Sequence, residues 1–142
     1  MTVTVTNYPD FIPNWVTELA LEVTKLRELA KQRRQLVYLA SPYSDPLITV
    51  RLRRFETACK VAAKLMAEGI FVYSPIAHTH PIAEASNLPL GFEFWERYDR
   101  AILQCCHKMI VIQLPGWEQS KGIAAELEIA KELGIPVEYM EP

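Results

Sequence analysis

Short apolar, β-rich runs alternate with amphipathic helical stretches along this 142-residue chain. The alternation predicts an α/β fold: a doubly wound parallel sheet of four to five strands with helices on both faces. Two more observations agree with it. The chain has the length of one domain with a sizeable core, and it carries neither an internal repeat nor a low-complexity segment. Its apolar share is that of an ordinary globular protein.

The first twelve residues form a polar, β-branched lead, Met1-Thr2-Val3-Thr4-Val5-Thr6, that ends in a turn at Pro9-Asp10. From Asn14 to about Arg34, Val16, Leu19, Val23, Leu26 and Ala30 recur at intervals of three and four, which is the apolar stripe of a helix. Basic residues crowd its later turns and suit the negative end of the helix dipole. Residues 1–35 are therefore set apart as an N-terminal extension from an α/β domain over 36–142. Leu36-Val37-Tyr38-Leu39-Ala40 predicts the first core strand, and Ser41-Pro42-Tyr43-Ser44-Asp45-Pro46 its loop.

Ile48, Leu52, Phe55, Cys59, Ala62 and Met66 predict the next helix, closed by Gly69. Ile70–Tyr73 is the second strand, and the proline- and histidine-bearing stretch from Ser74 to Pro89 is expected to be a long loop. A helix follows over about Gly91 to Cys106, with Phe92, Trp95, Asp99 and Ile102 along one stripe. Met109–Leu114 is the third strand, Ser120–Leu133 a helix ended by Gly134, and Pro136–Met140 the last strand. The arrangement is Rossmann- or flavodoxin-like, and such sheets bind ligands beyond the carboxyl ends of their strands. The loops at Ser41, His78 and Trp117 all leave such ends.

Charge narrows the partners. Fifteen Lys and Arg against 17 Asp and Glu give a formal net charge of -2, and the isoelectric point is about 5.9. These values argue against a nucleic-acid polymer as partner and leave room for a small anion held by a local positive site. No apolar run approaches the roughly 18 residues of a spanning helix, and the start lacks a basic region followed by an apolar one, so no membrane partner and a cytoplasmic location are expected. Cys59, Cys105 and Cys106 match no zinc spacing and are expected to be reduced thiols.

The chemistry-bearing residues gather around Ser120-Lys121-Gly122-Ile123-Ala124-Ala125-Glu126. A helix start offers free amides and positive dipole to an anion such as phosphate. Glu126 shares a helix face with Gly122, Ile129 and Leu133 and so points partly inward. Asp99 lies in an apolar stripe as well. Two inward carboxylates near one sheet end suit a nucleophile and a proton donor in glycosidic chemistry. Ser120 is equally placed to be the N-cap. Ser41 and Tyr43 are positioned to meet a ligand, as is His78. The His78-x-His80 pair raises the thought of a metal-dependent hydrolase, but no companion ligands stand near it in the sequence, and no metal is expected.

These residues resemble the nucleoside 2-deoxyribosyltransferase superfamily, which includes the 2′-deoxynucleoside 5′-monophosphate N-glycosidases. The similarity rests on Tyr38-Leu39-Ala40-Ser41-Pro42-Tyr43, on Asp99 in the helix before Met109-Ile110-Val111-Ile112, and on Ser120-x-Gly122-x-x-x-Glu126-Leu127. It spans about Leu36 to Tyr139 and looks closest to a small bacterial and phage branch that shares Ser74-Pro75-Ile76-Ala77-His78-Thr79-His80-Pro81. The resemblance implies Glu126 as nucleophile at the anomeric carbon and Asp99 as proton donor or relay. It places Ser120 and Gly122 at a 5′-phosphate and Ser41 and Tyr43 on the sugar side. It also implies a nucleoside or nucleotide substrate, no cofactor, and a homo-oligomer. Hydrolysis is preferred slightly over transfer to a second base. One departure is His107, where many relatives carry an aspartate before the third strand; it supports the alternative of a catalytically inactive nucleotide-binding module.

Overall fold

The computed structural model describes residues 12–33, 35–89 and 91–142. The lead segment 1–11 and the side chains of Lys31, Gln32, Arg33 and Arg34 lie outside the described residues. The chain divides into two compact units, Met1–Arg33 and Arg34–Pro142. The first unit contains a single described helix, α1 (Asn14–Arg33). No helix among the described residues is long and apolar enough to cross a membrane.

In the second unit, β1 (Leu36–Ala40), α2 (Ile48–Ala67), β2 (Val72–Tyr73), α3 (Pro75–Ser86), α4 (Phe92–Leu103), β3 (Cys106–Ile112), α5 (Lys121–Glu132) and β4 (Val137–Met140) follow in order, with a single 3-10 turn at Trp117–Gln119 before α5. The four strands form one parallel sheet in the order β2-β1-β3-β4. The chain winds outward from β1 in both directions, so the strand order reverses between β1 and β3. That reversal opens a crevice at the carboxyl ends of these two strands.

Alternation along β1 divides the core. Val37 and Leu39 face α2 and pack with Val61, Ala62, Leu65, Ile110 and Ile112. Tyr38 and Ala40 face the other side, with Leu103 of α4, Met109 and Val111 of β3, and Ile123, Ile129 and Ala130 of α5. Because the period of a strand is two residues, this register sends the Tyr38 side chain, and no other polar group of β1, toward α5.

The main departure from the sequence expectation is Ser74 to Pro89. The stretch expected to be a loop is largely the helix α3, capped by the Ser74 hydroxyl, which accepts from the Ala77 amide at 3.3 Å. Pro75 occupies the first helical position, where a missing N–H costs nothing, and Asn87 closes the helix in the left-handed conformation (φ 51°). The Ser-Pro start is a helix signal that the internal Pro81 and the histidines obscure. The strand before it shrinks to Val72–Tyr73, and β3 begins three residues earlier than expected, at Cys106, which ends α4 at Leu103.

Two loops at the crevice are tied together by one side chain. The Arg54 guanidinium on α2 donates to the carbonyls of Ser44 (2.8 Å) and Tyr43 (3.3 Å) after β1, and to that of Pro115 (3.2 Å) after β3. Gly116 sits at φ +90°, and a Cβ there would come within 2.9 Å of Arg54 Nη2, so glycine is favoured both by conformation and by space. Arg54→Ala is expected to cost about 2 kcal/mol, because three loop carbonyls lose a charged donor at once. Arg54→Lys should recover less than half of this, since a point charge cannot span both loops. Thermal unfolding of the two variants beside the wild type measures both effects, and equal melting temperatures for all three would contradict the clamp.

Candidate active site

The crevice between β1 and β3 is a cleft of about 720 Å³. Ser41 and Tyr43 enter from the loop after β1, His80 from α3, Trp95 and Asp99 from α4, and Ser120, Lys121, Gly122 and Glu126 from the start of α5. The lining therefore combines apolar and aromatic groups, Phe92, Trp95 and Ile76, with the N-terminus of a helix. This is the mixed character of a small-molecule pocket, with apolar walls and a few convergent polar groups.

Glu126 is only 6% exposed although it carries a carboxyl group. The reason is its place on α5: Ile123, Ile129 and Ala130 of the same helix bury against the sheet, and Glu126 falls on that face. Its Oε1 accepts a 2.8 Å hydrogen bond from the Tyr38 hydroxyl. Asp99, 5% exposed on α4, approaches from the neighbouring helix, and its Oδ1 has no hydrogen-bond partner among the described residues. A buried acceptor left open in this way is costly unless something else fills it.

Burial dominates the electrostatics. It lifts Glu126 to about 8, helped by the charge of Asp99 and opposed by the Tyr38 hydrogen bond. Burial likewise lifts Asp99 to about 6, again against a stabilising contribution from the Tyr38 hydroxyl. Tyr38 itself is pushed far above the ordinary tyrosine range by burial and by the two carboxylates, so it remains a neutral donor. The two acids titrate as a pair that holds one proton between about pH 6 and pH 8. Such a pair, one carboxylate and one carboxylic acid with little solvent exposure, can attack and protonate in the same step.

At the helix start, the Ser120 hydroxyl accepts from the Ile123 amide at 3.3 Å and so serves as the N-cap. Its own proton remains to be donated to a ligand. The amides of Lys121 and Gly122 belong to the first turn and have no intrahelical acceptor. A Cβ at Gly122 would meet only Ser120 Oγ, at an ordinary 3.8 Å, so packing within the protein does not demand glycine there. The Ser41 hydroxyl is buried on the cleft and has no partner among the described residues.

Of the residues expected from the sequence, Ser41, Tyr43, Asp99, Ser120, Gly122 and Glu126 all line the cleft, and His78 does not. His80 takes the inward place. Residues two apart on a helix point about 200° apart, so α3 cannot turn both histidines to one side. His80 is buried, hydrogen-bonded through Nδ1 to the Tyr43 hydroxyl and packed on Phe55 at 4.3 Å between ring centroids. His78 is exposed, stacked on Tyr98 and 3.0 Å from its hydroxyl. No group of three or more His, Cys, Asp or Glu among the described residues is placed to hold a metal ion. His107 lies at the amino end of β3, its Nδ1 3.1 Å from the Leu36 carbonyl, at the end of the sheet away from the cleft.

Sequence reasoning gave no site role to Tyr38, Trp95 or Lys121, although for Tyr38 a signal existed. A hydroxyl inside a strand covered on both faces must find a partner in the core. Tyr38→Phe should raise the proton affinity of the Glu126 carboxyl further, by about tenfold, because the donor to its Oε1 is removed. Carbon-detected NMR titration of the Glu126 carboxyl measures this, and an unchanged or lowered value would contradict the assigned hydrogen bond.

The profile described as "Domain of unknown function (DUF1937)" matches residues 35–142, about three quarters of the chain. The chain belongs to the DUF1937 family. No curated protein matches it. Among the described residues, the matched span covers every strand and every cleft residue, so the DUF1937 region coincides with the parallel-sheet unit. The family match begins after α1, which stands outside the DUF1937 region.

Proposed function

We propose that the DUF1937 domain of this chain cleaves the N-glycosidic bond of a nucleoside or nucleoside 5′-monophosphate, passing the sugar to water or to a second base. The observation that carries the reading is the pair of buried carboxyl groups, Glu126 and Asp99, gathered around the Tyr38 hydroxyl at the floor of a cleft whose lining includes aromatic groups and a helix N-terminus. A nucleotide has the matching parts: a flat base for Trp95 and Phe92, a sugar for the floor, and a phosphate for Lys121 and the first turn of α5.

In the first half-reaction the pair reacts from the form in which its one proton has passed from Glu126, the more basic of the two, to Asp99, and the Glu126 carboxylate attacks C1′. The C1′–N bond breaks, and the base leaves with its bonding electron pair and the proton of Asp99. In the second half, water attacks C1′ of the glycosyl ester, Asp99 takes the water's proton, and the Glu126 carboxylate is released with the free sugar. A base in place of water gives transfer. Tyr38 holds the Glu126 carboxyl in one orientation throughout. Neither half-reaction calls on His107, at the far end of the sheet.

Free-base release from ribo- and deoxyribonucleosides and their 5′-monophosphates, followed chromatographically with and without an acceptor base, tests the proposal. Release that depends on the acceptor marks a transferase, and release in water alone marks a hydrolase. A protein that binds nucleotides without ever releasing base would instead be a binding module.

A further inference from the structure

Outside the family match, α1 carries an apolar stripe on a helix about 30 Å long. Trp15, Leu19, Val23, Leu26 and Leu29 are all exposed, Leu19 at 57% and Leu26 at 62%. Most helix stability in proteins comes from packing of an amphipathic face, and a contiguous apolar stripe, unlike a single exposed leucine, marks a contact surface.

The stripe has a specific grammar. With Val16 at heptad position a, the a sites are Val16, Val23 and Ala30 and the d sites are Leu19, Leu26 and, at the helix end, Arg33, so the apolar seam runs from Val16 to Ala30. β-Branched residues at a with leucine at d favour two parallel strands. The flanking positions agree with that choice. In a parallel pair, each g residue meets the e residue five positions later on its partner. Glu22 at g therefore meets Arg27 at e, twice by symmetry, and Trp15 at g lies over the small Ala20 at e. We infer that α1 is a dimerisation helix that pairs with a second copy of this chain as a parallel two-stranded coiled coil. The occupant follows from charge complementarity: this helix supplies both partners of its own flanking ion pair. The inference stands independently of the chemistry proposed for the cleft.

Sedimentation equilibrium on the full chain at low ionic strength tests it. The wild type should run at twice the 16.2 kDa chain mass. Glu22→Arg should weaken the dimer about tenfold, since two attractive flanking pairs become repulsive. Adding Arg27→Glu to that variant should restore the wild-type dissociation constant within about threefold, because the pair is re-formed with its signs exchanged. Leu26→Lys should yield monomers whose parallel-sheet unit melts as before. A wild type that is monomeric at every concentration overturns the inference, as would be the case if α1 docks on its own chain or on an unrelated protein. So does a dimer indifferent to Glu22→Arg, or one that the second reversal fails to rescue, the outcome expected of an antiparallel pair.

Discussion

Glu126→Gln is expected to lower base release by about 10⁴-fold or more, while nucleotide binding changes by less than about threefold. The substitution keeps the volume of the side chain and an amide oxygen that can accept from Tyr38, so the pocket retains its shape. What disappears is the carboxylate that, in the proposed mechanism, forms the bond to C1′, for which an amide is no substitute. Asp99→Asn should cost less, about 10²- to 10³-fold, because a protonated or electron-poor base can leave without its help. In the wild type, base release should follow a bell in pH with limbs near 6 and 8. Below the bell both acids are protonated and the nucleophile is lost; above it both are ionised and the proton donor is lost. Asp99→Asn should remove one limb and leave a single titration. Single-turnover assays over that pH range measure all three effects. Base release by Glu126→Gln at the wild-type rate would end the proposed mechanism, and a wild type that binds nucleotides but releases no base would favour the binding module.

The same substitution should stabilise the fold in alkaline solution. Burial raises Glu126 from the ordinary value of 4.5 to about 8 in the folded protein. A carboxyl whose folded-state value is raised favours the folded state fully only at a pH below its unfolded value. That contribution is lost progressively as pH rises from about 4.5 through about 8, where the folded protein must ionise a carboxyl group that is only 6% exposed. Every tenfold change in proton affinity is worth about 1.4 kcal/mol, and relaxation around the buried charge reduces the total, so a gain of about 2 to 4 kcal/mol is expected for Glu126→Gln at pH 9. The melting temperature should rise by about 5 to 10 °C there and remain within about 1 °C of the wild type at about pH 4.5. Calorimetry at the two pH values decides the matter. A gain that is the same at both would mean that side-chain packing, rather than charge burial, sets the cost. A site that is more stable without its carboxylate is what a functional group retained against stability looks like.

Much of this arrangement is legible in the order of residues. The apolar run Leu36–Ala40, the helical spacing from Ile48 to Met66 and the Gly134 stop each act through neighbours within a turn or a strand, and the structure follows them closely. Glu126 and Asp99 stand out because each sits on the apolar stripe of its own helix, where a carboxyl group is out of place. Ser74–Pro89 is harder to read. Its helix begins on a Ser-Pro cap that is itself a clear signal, but Pro81 and two histidines in the interior suggest a loop until packing against the rest of the unit overrides their low propensity.

The pairing of Tyr38 with Glu126 spans 88 residues, and no local pattern encodes it. It exists because β1 and α5 meet across one face of the sheet and because the register of β1 turns Tyr38, and not Val37 or Leu39, toward that face. The exchange of His78 for His80 has the same origin, since the direction in which a helix faces is set by what it packs against. By itself, then, the sequence determined the alternating elements, the parallel α/β class and the two inward acids, all consequences of local periodicity and side-chain polarity. Only the tertiary structure decided which hydroxyl holds the glutamate, which histidine faces the cleft and how strongly burial holds the protons, because these depend on the distance and solvent exclusion between groups far apart along the chain.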